Sequence, residues 1–134
     1  MPTDPVDPVV AVLAEEWAAI GDLGGDLRED EWDMPSECPG WTVRDIVSHM
    51  IGTERTLLAD PAPPPVAERP PHVHNDVGAS NEAWVAARRN LPGAEVLAEF
   101  RQVTARRLEQ LAEFPPSRFD ELGPSPVGQV LGSW

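Results

Sequence analysis

The chain has 134 residues, enough for one core and one domain, and its 41% hydrophobic and 25% charged residues are ordinary for a globular protein. Twenty-three acidic residues stand against ten basic ones, all arginine, and the formal net charge of -13 repels phosphate backbones and anionic lipid heads, which argues against nucleic acid and membrane surfaces as partners. No apolar run nears the roughly 18 residues a membrane span needs, Met1-Pro2-Thr3-Asp4 lacks a signal-peptide layout, and the single cysteine, Cys38, has no partner within the chain, so the expected location is cytoplasmic.

In chain order, Val6, Val9, Val10, Leu13, Trp17 and Ile20 recur at helical spacing and predict a first helix over 6–23, which Gly24 and Gly25 then break or fray. Residues 30–41 hold two prolines and a glycine among polar groups and read as a structured loop. The second helix carries a full start signal. Thr42 is the N-cap, Asp45 its capping-box partner, and Trp41 is placed to staple onto Ile46. The stripe Val43, Ile46, Val47, Met50, Ile51, Leu57, Leu58 carries this helix to about residue 59.

Residues 60–75 are too rich in proline for a helix, and a linker is the default reading. A third helical segment follows over roughly 77–90, with Trp84, Val85 and Ala87 and with Arg88 and Arg89 near its end. Pro92 opens the strongest helix, where Val96, Leu97, Phe100, Val103, Thr104, Leu108 and Leu111 run to about residue 114 before Pro115-Pro116 stop it. Residues 124–134 read as the opening turns of a further helix. Apolar stripes joined by such connections bury against one another, so the expected fold is an all-α up-and-down bundle forming a single domain over 1–134.

One segment is more specific than these patterns. Pro35-Ser36-Glu37-Cys38-Pro39-Gly40-Trp41-Thr42-Val43-Arg44-Asp45-Ile46-Val47-Ser48-His49-Met50-Ile51-Gly52-Thr53-Glu54 closely resembles the start of the second helix in the mycothiol-dependent maleylpyruvate isomerase family, within the wider DinB-like superfamily. The similarity continues through Val73-His74-Asn75-Asp76-Val77-Gly78, Asn81-Glu82-Ala83-Trp84-Val85, Arg88-Arg89 and Glu95-Val96-Leu97-Ala98-Glu99-Phe100-Arg101. It implies a DinB-like four-helix bundle, here with the fourth helix largely missing, and a divalent metal, usually zinc, held at one end. In the family a histidine of the second helix joins a glutamate and a histidine of the last helix, and the thiol of mycothiol is the nucleophile. Only the first ligand carries over, to His49; the other two are expected past Trp134.

The resemblance therefore implies a metal-binding domain of a mycothiol-dependent isomerase- or transferase-like enzyme, inactive as this chain, with a small-molecule thiol and a substrate as partners. Zinc in such a site keeps a position open where a thiol binds and loses its proton. The metal thiolate would add to an activated double bond, permit rotation and leave as the trans isomer. Trp84 and the Arg88-Arg89 pair are the implied contacts to a cofactor carboxylate or sugar.

Each residue also has an ordinary reading. His49 sits on the flank of its stripe, about 60° from Ile46 at 100° per residue, where a histidine is usually structural. Glu54 falls in the middle of the stripe, so an arginine partner, Arg101 or Arg107, is favoured over a catalytic role. His72 and His74 are the only local candidates to complete a site with His49. Cys38 has no base near it in sequence and reads as a packed loop thiol. Trp17, Trp41 and Trp84 read as core aromatics. The alternative function is a non-catalytic helical module that dimerises or binds a partner helix, because two neighbours cannot fully cover the stripe over 96–111.

Overall fold

The computed structural model describes residues 8–66 and 70–113. Four helices and a short 3-10 helix follow one another: α1 (Pro8–Gly25), the 3-10 helix (Glu29–Asp33), α2 (Val43–Leu57), α3 (Asp76–Ala86) and α4 (Gly93–Ala112). Helix α4 packs against α1 and α2, and α3 lies on α2. The all-helical bundle expected from the sequence is what forms. Residues 124–134, read above as the start of a further helix, lie outside the described residues.

Helix α2 starts as its sequence predicts. Thr42 Oγ1 accepts the Asp45 N–H at 3.3 Å, and Asp45 Oδ2 accepts the Thr42 N–H at 3.0 Å. Its end is less conventional. The Ala59 N–H reaches the Thr56 carbonyl at 3.0 Å and the Asp60 N–H the Arg55 carbonyl at 2.9 Å, a Schellman motif that places Ala59 at φ +62°. Helix α3 is capped by Asn75, whose Oδ1 accepts the Gly78 N–H at 2.7 Å.

Helix α1 ends at Gly25, within the glycine pair expected to break or fray it, and Gly24 is also a packing position. A Cβ on Gly24 would lie 2.8 Å from Leu97 Cδ1, so its absence is what lets α1 approach α4 at this level. One turn earlier the Gly21 carbonyl accepts Arg101 Nη2 at 2.8 Å. Between the two helices Trp32 of the 3-10 helix fills the interior at 2% exposure. The loop reading of 30–41 missed that segment, since a single 3-10 turn leaves no periodic signal.

The core joins Trp17 and Trp32 to Val47, Ile51, Val96, Leu97, Phe100 and Val103. Trp41 and Trp84 are buried as well, as expected. The α4 stripe differs from expectation. Val96, Leu97, Phe100, Val103 and Leu111 are all buried and Leu108 is partly buried; α1 and α2 pack on the helix, and Trp32 joins Val96, Leu97, Phe100 and Val103 in one cluster. The uncovered groove that the interaction-module reading needed is thus not present on this face. Helix α4 also lacks a side-chain cap of its own, and Glu29 Oε1 accepts the Gly93 N–H at 2.6 Å across 64 residues of sequence.

Candidate functional site

At one end of the bundle the loop before α2, the segment before α3 and α3 itself converge on Trp41. Its Nε1 donates to Glu82 Oε2 at 2.8 Å. The indole ring lies 5.3 Å from the His49 ring, tilted by 34°, and 6.2 Å from the His72 ring, edge-on. Two histidines from different segments therefore share one tryptophan.

Glu82 is fully buried on α3. Besides the indole, it accepts His72 Nε2 at 2.9 Å on the same oxygen, and Arg89 Nη2 stands 2.5 Å from Oε1. Burial pushes its pKa up, but the hydrogen bonds from Trp41 and His72 and the charge of Arg89 outweigh it and hold the carboxyl below the usual range. Because the acceptor is an anion, His72 carries a proton on Nε2. Gly40 brings the imidazole close. It sits at φ +81°, and a Cβ there would run into the His72 ring.

His49 projects from α2, half-buried, with Nδ1 shielded from solvent. Burial lowers its pKa, so the neutral imidazole, the form that binds metals, prevails near neutral pH. No group of three or more His, Cys, Asp and Glu residues placed to hold a metal occurs among the described residues. His72 and His74 do not join His49 in a donor set: His72 is engaged with Glu82, and His74 is exposed.

Beside this junction lies a cleft of about 630 Å³, lined among others by Cys38 and Trp41, by His72 and His74, and by Val77 and Asn81 of α3. Cys38 is exposed here and not packed as the sequence suggested. Its loop is closed without the thiol: Ser36 Oγ donates to the Trp41 carbonyl at 2.8 Å and accepts the Cys38 N–H at 3.1 Å, so nothing draws the sulfur inward.

The profile of the mycothiol maleylpyruvate isomerase N-terminal domain family matches residues 13–133. The chain belongs to this family. Comparisons with curated proteins and with solved structures give no match.

In this mycothiol maleylpyruvate isomerase N-terminal domain, Trp84 and Arg88 belong to a second cluster. Both are buried, at 4% and 6% exposure. Arg88 grips Glu99 through Nε and Nη2, each at 2.7 Å, and donates Nη1 to the Trp84 carbonyl at 3.1 Å. Arg55 joins Glu99 at 2.9 Å, and Arg55 and Arg88 lie 5.4 and 5.3 Å from the Trp84 ring. Neither Trp84 nor Arg88 lines the cleft. Glu54 pairs with Arg107 at 2.7 Å, one of the two partners its position in the stripe suggested.

Glu82 is the site residue that reading the pattern along the chain did not single out. Its signal was a lone acid next to the buried run Ala83-Trp84-Val85, where an uncompensated carboxylate has no place.

Proposed function

We propose that this domain contributes to a divalent-metal site, with zinc the preferred ion, in a mycothiol-dependent isomerase- or transferase-like enzyme, and that His49 is its metal ligand. The observation that carries the reading is the half-buried His49 imidazole, its Nδ1 shielded from solvent, at the point where the family resemblance expects a donor. Burial keeps the proton from competing with the metal, and the Trp41 ring limits how far the imidazole swings. A bound metal supplies Lewis acidity that turns a coordinated thiol into a thiolate near neutral pH. A metal at this end needs donors beyond those the described residues bring together, so we infer weak zinc binding and no isomerase activity from this unit alone. Of the implied cofactor contacts Trp84 and Arg88, the Arg88 guanidinium is already engaged by Glu99 and the Trp84 carbonyl, which favours a role in holding α3 to α4. A cytoplasmic setting, where a small thiol cofactor stays reduced, fits this reading.

The protein has only three histidines, which makes imidazole nitrogen NMR a direct test. On adding zinc to the full chain, the His49 signal is expected to respond before those of His72 and His74, and His49→Ala to abolish the strongest binding event with the helical circular dichroism unchanged. A response confined to His72 and His74, or unaltered zinc affinity in the variant, overturns the assignment.

A further inference from the structure

The cleft beside Trp41 is a separate feature from His49. The indole touches both imidazoles, but of the two only His72 lines the cleft. Its volume of about 630 Å³ falls within the ordinary range for small-molecule sites, ~300–1,000 Å³. Pro39, Val73 and Val77 make much of the wall apolar. One polar group in it stands out. Asn81 lines the cleft, and its Nδ2 is buried with no hydrogen-bond acceptor reaching it among the described residues. A buried amide donor left in that condition costs about 1–3 kcal/mol, a penalty that a ligand oxygen removes.

Charge narrows the class of ligand. Glu82, the buried carboxylate bonded to two side chains of the wall, Trp41 and His72, also faces Arg89, which leaves little to attract a cation. Among the described residues no arginine lines the cleft to neutralise an anion, since Arg88 and Arg89 are turned to Glu99 and Glu82. A neutral acceptor on an apolar body satisfies both conditions. We propose that this cleft binds a small, largely apolar carbonyl compound, whose oxygen accepts a hydrogen bond from Asn81 Nδ2. The inference does not rest on a metal at His49.

The test uses the full chain in EDTA, so that metal binding plays no part, with 4-phenyl-2-butanone as probe. n-Butylbenzene, which lacks the acceptor, and 4-phenylbutyrate, which carries a charge, are the comparisons. The ketone is expected to shift the Asn81 side-chain amide signals and to slow alkylation of Cys38, the sole cysteine, which lies on the same cleft. Asn81→Leu, with its unfolding temperature checked, should weaken ketone binding about tenfold, the loss of one buried hydrogen bond, while leaving butylbenzene unaffected. Asn81→Asp, which keeps the shape but not the donor, should repeat that loss. The inference is overturned if the ketone fails to bind or binds no better than butylbenzene, if folded Asn81→Leu retains full ketone affinity, or if the carboxylate binds tightest.

Discussion

Trp41 and Glu82, 41 residues apart in the chain, meet in a buried hydrogen bond of 2.8 Å from the indole Nε1 to the carboxylate Oε2. The bond ties the start of α2 to the middle of α3. Because the same oxygen also holds His72, one carboxylate sets the positions of an aromatic wall and an imidazole together.

Glu82→Gln keeps the shape but removes the charge that Arg89 and His72 face. Charge-assisted hydrogen bonds contribute about 1.5–3 kcal/mol each, and urea unfolding at pH 7 should show a loss of roughly 2 kcal/mol. The folded-state pKa of Glu82 is depressed, so its contribution is complete above the ordinary value of 4.5 and drains away as pH falls below it. Wild type and variant should therefore converge in acid. A gap that stays constant between pH 7 and pH 3 contradicts this account.

His49 acts in the same direction for a different reason. Burial disfavours its charged form, so it should titrate below the ordinary 6.5 when followed by imidazole NMR. Between that value and its own lower pKa the unfolded chain binds more protons than the folded one, and stability falls as pH drops through this window. His49→Phe should lose that part of the pH dependence. A His49 midpoint at or above 6.5 rules out the neutral, metal-ready imidazole.

Gly40→Ala meets two obstacles at once. The backbone is at φ +81°, and the new methyl collides with the His72 ring. The first alone costs about 1–2 kcal/mol, and the second drives His72 away from Glu82. Loss of at least about 2 kcal/mol should come with a changed His72 imidazole spectrum, whereas a stable variant with an unmoved His72 signal refutes the close approach.

Ala59→Gly should work the other way. Ala59 holds the left-handed position of the motif that ends α2, where glycine fits without strain. Asp60, fastened to both Arg55 and Arg106, keeps the turn in place. Relief of the Cβ strain should raise stability by about 1 kcal/mol, less the extra entropy glycine brings to the unfolded chain. A destabilised variant means the turn is not held as described.

Helix-level organisation was legible in the sequence because it is local. The apolar spacing, the Thr42–Asp45 box and the prolines each act within a few residues, and they placed α2 and α4 within two residues of their ends. The Glu54 partner could be narrowed to two arginines, since a carboxylate in an apolar stripe demands compensation. What the tertiary structure alone decided is long-range. The close approach of α1 to α4 at Gly24 is fitted to Leu97, the cap of α4 comes from Glu29, and the exposure of Cys38 follows from a loop that closes without it. The junction of Trp41, His49, His72 and Glu82 belongs to this second kind. Chain periodicity reports which face of a helix is apolar, but which charged or aromatic groups meet depends on how separate helices pack, and that is set by the fit of whole surfaces.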